Sequence, residues 1–227
     1  MIFVPQLAEK VRLRHKWQTR RLVTAHTSLV NGTGEGIRKM WPTLELDRAW
    51  VDPGPSPVSN PGPYLKVPRP VDDTVHRVYS RIYPGDLIYV REEWAAMKGY
   101  DELRASHIPR DSTIFLKAKI PEGKHLAQGK WRPGMHMPRW ASQTRLRVTE
   151  LRAQQIQAIE CADIRAEGVA CPEHDFASGF CVRECPELRA AFAKLWDEIN
   201  AERAPFASNP WVWCYTLDLI GPSSEAV

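Results

Sequence analysis

No run in the sequence approaches the roughly 20 apolar residues that span a bilayer, which excludes a transmembrane helix. The opening Met1-Ile2-Phe3-Val4-Pro5 is too short and too soon interrupted by proline to act as a signal peptide. The expectation is a soluble cytoplasmic protein with no membrane partner. Cysteine is scarce and odd in number at five, and four of the five lie between Cys161 and Cys185. That clustering argues against a secreted disulfide framework and favours reduced thiols or a metal. No internal repeat is present. A dominant charge is lacking too, since 31 Lys and Arg face 27 Asp and Glu for a net charge of +4. A polyanionic partner has to be sought in the distribution of charge and not in its total.

The chain of 227 residues, 43% of them hydrophobic, can bury one sizeable core, so disorder throughout is excluded. Basic charge is front-loaded: Lys10, Arg12, Arg14, Lys16, Arg20 and Arg21 face the single acid Glu9. Pro5 suits a first helical turn, and Leu7, Val11 and Leu13 support a short helix to about Arg14. From Pro42 to Pro70 there are eight prolines, with Gly54 and Gly62 among them. Residues 23–78 therefore read as an insertion or long loop without its own core.

Order returns at the turn Tyr83-Pro84-Gly85-Asp86, which launches a strand through Leu87 to Val90. Thr113 to Ala118 reads as another strand. Thr144 to Leu151 alternates Leu146 and Val148 inward with Arg145, Arg147 and Thr149 outward. Glu160 to Glu167 reads as a helix stopped by Gly168. Pro186 opens a stronger helix to about Arg203, striped with Leu188, Phe192, Leu195 and Ile199. Trp211, Trp213, Tyr215, Leu217 and Leu219 alternate along a final strand with one aromatic face. Short strands and helices without a βαβ rhythm predict an α+β fold.

Three groups carry chemistry. Lys16-Trp17-Gln18-Thr19-Arg20-Arg21 gathers an amine, a hydroxyl and two guanidinium groups, a set that suits an anion or a base edge. Its bland reading is a solvated basic turn with Thr19 capping a helix. Trp17, Trp94 and Trp140 are candidates for stacking on a base, Trp140 foremost because Arg139 and Ser142 flank it, whereas Trp196 and Trp213 read as core. Cys171, His174, Cys181 and Cys185 offer three sulfurs and an imidazole for a closed structural zinc site, against the alternative of unliganded thiols in a loop.

In this order, the blocks Lys16 to Arg21, Pro84-Gly85-Asp86 with Val90-Arg91-Glu92-Glu93-Trp94, His136 to Ser142, Ala166-Glu167-Gly168, Leu195 to Asn200 and Asn209 to Trp213 resemble the ASCH-domain proteins common in bacteriophages and prophages. One departure stands out: where family members often carry Gly-Arg before the lysine, this chain has Arg14-His15.

The resemblance implies a PUA-like β-barrel with flanking helices, formed by residues 1–22 and 79–220, in a bacterial host cytoplasm; the spacing of the cysteines and His174 would place a zinc-binding loop at 168–186 within it. It implies a nucleic acid or nucleoside as partner, contacted through Arg20, Arg21, Arg91, Trp94, Arg139 and Trp140. It is also similar to the small bacterial acetylcytidine amidohydrolases, which would make Thr19 a nucleophile, Lys16 its base and Glu167 the orienting carboxylate. Binding, amide hydrolysis of an acylated cytidine, ribonuclease action and a phage accessory role remain open at this point.

Overall fold

A computed structural model describes residues 1, 3, 5–23, 46–52, 62–68, 75–120, 127–171 and 185–221. The architecture is mixed α+β and its ladders are antiparallel. Among the described residues these ladders do not close into a barrel. No helix of the described residues is long and apolar enough to cross a membrane. The chain forms two compact units, one from Met1–Trp17, Leu87–Arg147 and Leu217–Val227, the other from Gln18–Asp86 and Val148–Thr216. The division splits the basic hexapeptide: Lys16 and Trp17 fall in the first unit, Gln18 to Arg21 in the second.

The first unit opens with helix α1, Pro5–Arg12, whose Ala8 and Val11 are buried. Proline begins it because the first helical N–H has no partner to lose. The helix stops two residues sooner than the sequence pattern predicts, and Leu13 is left exposed. Its end is a Schellman cap: the N–H of Arg14 donates to Val11 O at 3.1 Å and that of His15 to Lys10 O at 2.8 Å. Such a cap needs one left-handed residue, and here it is Arg14, with φ 59°.

The ammonium of Met1 donates to Tyr89 O at 2.7 Å, and Phe3 N–H donates to Arg91 O at 2.9 Å, so the terminus is laid beside strand β5 and the residues that follow it. That strand, Leu87–Tyr89, pairs with the start of β8, Arg145–Gln155. Strand β6, Trp94–Ala95, pairs with β7, Phe115–Leu116, over a core of Trp94, Ala96, Ile108, Leu116, Met137 and Ala141. The strand expected at Thr113 to Ala118 shortens to these two residues because Lys117–Lys119 turn into a 3-10 helix.

In the second unit, β1 (Gln18–Leu22) pairs with β9 (Trp211–Gly221), aligning Thr19 with Tyr215 and Arg20 with Cys214. β8 continues here with Val148 and Leu151 buried. Helix α2, Cys161–Ala166, ends at Gly168, whose φ of 81° is the left-handed stop anticipated from sequence. Helix α3, Pro186–Asn200, buries Leu188, Phe192 and Trp196, one i, i+4, i+8 row. Leu195 is only partly buried and Ile199 is exposed, so the stripe is rotated from the predicted one. β9 also departs from expectation, because Val212, Trp213, Cys214 and Tyr215 are all buried and the strand has two covered faces.

The insertion read as a loop contains a three-stranded sheet: β2 (Trp50–Asp52), β3 (Tyr64–Pro68) and β4 (Val75–Tyr79), in that order. Leu65, Val67 and Val78 are fully buried on it, and the rings of Tyr64 and Tyr79 lie 5.4 Å apart. The only proline within these three strands is the last residue of β3, where it costs the ladder least.

A non-glycine residue held left-handed is strained by about 1–2 kcal/mol. Arg14→Gly is therefore expected to raise stability by about 1 kcal/mol and Tm by roughly 2–4 °C, read by thermal circular dichroism. An unchanged or lower Tm would show that the cap carries no strain.

Candidate nucleic-acid interface

The α1 cap delivers the basic segment to a hollow. Immediately after left-handed Arg14, Lys16 N–H donates to Lys10 O at 3.1 Å, and Trp17 O accepts from Leu217 N–H at 2.8 Å. Lys16 and Trp17 thereby line a cavity of about 220 Å³ together with Val11, Arg14, Leu146, Leu217, Asp218 and Leu219. Lys16 is only 3% exposed, while Trp17 is 46% exposed. A buried ammonium beside a half-open indole is a place for a flat, electron-rich ring near a negative charge.

The second half of the hexapeptide has a different job. β1 alternates its side chains, so Arg20 faces α2 and Thr19 faces the other way, beside Tyr215 in the register. Arg20 Nη1 donates to Glu167 Oε1 at 2.9 Å, and Nη2 lies 2.9 Å from Asp163 Oδ2. Asp163 Oδ2 also accepts from Arg152 Nη2 at 2.5 Å. The Arg20 side chain is 1% exposed. It is a buried counter-ion held by two carboxylates, and removing one partner of such a set typically costs about 3–5 kcal/mol.

Burial is also the main influence on Arg21 and Cys214. It pushes the Arg21 guanidinium below its ordinary value, against Glu167 and then Tyr215, which raise it. It pushes the Cys214 thiol up to about 11, against the lowering effect of Arg20 and Arg152. On Thr19's face the Tyr215 hydroxyl shares a 2.8 Å hydrogen bond with Ser80 Oγ, and burial raises its pKa too.

The trio of Lys16, Thr19 and Glu167 is accordingly distributed. Glu167 meets Arg20, Thr19 lies on the opposite face of β1, and Lys16 belongs to the other unit.

The remaining candidates fall in the first unit. Trp94 is completely buried in the core, where the Arg132 guanidinium lies 5.8 Å from its ring, so it offers no face for stacking. Trp140 is partly buried against that same core. Arg139 is exposed at the start of a 3-10 turn, Arg139–Ala141. Arg91 donates through Nε to Gly134 O at 3.2 Å and through Nη2 to Met135 O, which makes it a brace for a turn. Its neighbour Glu92 is 1% exposed and accepts from Arg12 Nη1 at 2.6 Å. Burial raises the Glu92 pKa and the Arg12 charge opposes that rise.

Arg14, Asp163 and Arg152 were not anticipated. The signal for Arg14 was the missing glycine before His15. For Asp163, four residues before Glu167 on a helical segment, the spacing was present but nothing in the sequence named Arg20 as its partner.

Of the expected zinc ligands, Cys171 and Cys185 are buried with their sulfurs 3.5 Å apart, while His174 and Cys181 lie outside the described residues. Cys161, a thiol outside the predicted set, accepts from Cys185 N–H at 3.2 Å. Among the described residues no group of three or more metal-type ligands is assembled.

Comparison with known protein families, curated proteins and solved structures found no match. The family resemblance rests on the sequence blocks alone.

A thiol whose pKa is raised on folding keeps a proton that the unfolded chain releases, so stability is intact below pH 9 and declines as pH climbs toward 11. The unfolding free energy from denaturant titrations between pH 8 and 10.5 should fall by up to about 1 kcal/mol per pH unit above 9, and Cys214→Ala should flatten the slope. An equal slope in the variant would place the titration elsewhere.

Proposed function

We propose that this protein binds nucleic acid or a modified nucleoside, stacking a base on Trp17 and meeting its charge with Lys16 and Arg14. The observation that carries the reading is that all three line one hollow of about 220 Å³. That volume lies below the roughly 300–1,000 Å³ of pockets that enclose whole drug-sized ligands. The hollow suits one base with its sugar and phosphate outside, which favours a single strand over a free ligand. The ASCH-type, PUA-like barrel belongs to the same proposal. Its support is the order of the sequence blocks and the left-handed residue found where the family often has glycine.

Binding is favoured over amide hydrolysis because Glu167 is engaged by Arg20 and Thr19 is turned away from it. A general base has to lie within hydrogen-bond reach of the proton it takes.

Labelled single-stranded DNA and RNA decamers, followed by fluorescence anisotropy, test the reading. Affinity should fall linearly with log salt, and Trp17→Ala should weaken it by roughly 5- to 100-fold, the range for losing one stacked base. Absence of binding at low salt, or an unaffected Trp17→Ala, would overturn it.

A structural zinc ion is a second part of the proposal. Two thiolates on a tetrahedral zinc sit about 3.8 Å apart. The 3.5 Å between Cys171 and Cys185 is close to that spacing and far from a disulfide. Metal analysis of protein from zinc-supplemented cells should find about one zinc per chain, lost in Cys185→Ser together with a fall in Tm. A zinc-free protein of unchanged Tm would exclude the ion.

A further inference from the structure

The first unit contains a second, larger cavity that none of the site residues discussed above line. It measures about 630 Å³ and is bounded by Arg104, Lys130, Trp131, Arg132 and His136, with Ala105, Ser106, Pro133 and Pro138 completing the wall. Three permanent cations, an imidazole and an indole surround it, and among the described residues that line it there is no carboxylate. We propose that this cavity is a nucleotide pocket, in which Trp131 takes the base and Arg104, Lys130 and His136 take the phosphate.

The walls are built, which distinguishes the cavity from a chance gathering of surface cations. Arg132 donates through Nη2 to Tyr100 O at 2.9 Å and Asp101 O at 3.2 Å, so its guanidinium is held in place. The backbone N–H of Lys130 donates to Asp101 Oδ1 at 2.7 Å, and a β-carbon on Gly129 would lie 2.1 Å from that same oxygen. The loop is therefore clasped to Asp101, and a side chain at Gly129 would displace the carboxylate that holds it. On the other wall, His136 rides on the 3-10 turn Gly134–His136, whose carbonyls accept from Arg91. A β-carbon on Gly134 would come within 3.0 Å of the Glu92 backbone, so the turn is seated directly on that segment. A wall whose backbone is fixed bears its cations without the cost of ordering a loose loop, and Arg132 is the side chain among them already held in place.

The binding groups themselves remain available. Arg104 and Lys130 are exposed, and the Lys130 ammonium is 3.9 Å from an almost fully exposed Glu102, a pairing worth little in water. The Lys117 ammonium, paired with Glu93 at 2.7 Å, lies 6.0 Å from the Trp131 ring. Guanidinium and ammonium groups suit phosphate oxygens, and an indole suits a base. The volume falls inside the range of pockets that enclose a whole small ligand. The proposal shares a ligand class with the Trp17 hollow but none of its residues, so the two fail separately.

Titration calorimetry on the intact chain with adenosine, AMP, inorganic phosphate and a 5′-phosphorylated tetranucleotide tests it. AMP should bind about tenfold or more tightly than either adenosine or phosphate, a gap set by charge-assisted bonds on one side and stacking on the other. The double variant Arg104→Ala/Lys130→Ala should close the gap between AMP and adenosine. Trp131→Ala should close the gap between AMP and phosphate. A tetranucleotide tighter than AMP would assign the pocket to the end of a strand, and one no tighter to a free nucleotide; either supports the site. Equal affinity for adenosine and AMP, phosphate binding as tightly as AMP, or an indifferent double variant would overturn it.

Discussion

The second unit is organised around one buried guanidinium. Arg20 enters from β1, where its side chain is shut away from water, and is met by Asp163 and Glu167 from α2. A charge in that position is stable only with its partners complete, so strand, helix and the Arg152 that steadies Asp163 stand or fall together. The carboxylate that the sequence blocks place in a candidate site is engaged here in fastening a sheet to a helix.

The first unit repeats the lesson with another motif. Arg91-Glu92-Glu93-Trp94 has the composition of a binding segment, yet its charges act inward. Glu92 is buried against Arg12 of α1, Arg91 holds two carbonyls of the Gly134–His136 turn, and Trp94 is core. Glu93 alone faces outward, pairing with Lys117 at 2.7 Å on a surface where such a pair contributes little. These residues support a surface and do not form it.

Much of the local structure was legible. Pro5 and Pro186 mark helix starts, Gly168 a helix stop, and the alternation around Leu146 and Val148 a strand, because each reflects a rule that acts within a few residues. The turn before β5 was legible for the same reason: Asp86 Oδ2 accepts from Tyr83 N–H at 2.8 Å, and Gly85 supplies φ 95°. The sheet hidden among the prolines was not, since composition averaged over the segment masks short runs such as Tyr64 to Val67. Nor was the extent of burial along β9, because a strand covered on both faces loses the alternation that marks one covered face.

What the chain determined by itself is the helix starts and stops, the alternation along β8 and the concentration of positive charge before Leu22. Those depend on neighbours in sequence. Where each cation of the hexapeptide is placed was decided only by the tertiary structure. Lys16 and Arg20 stand four positions apart, yet one lines a hollow and the other closes an ion pair with residues more than 140 positions away. Burial and pairing of charge are properties of three-dimensional surroundings, and no spacing within a hexapeptide encodes them.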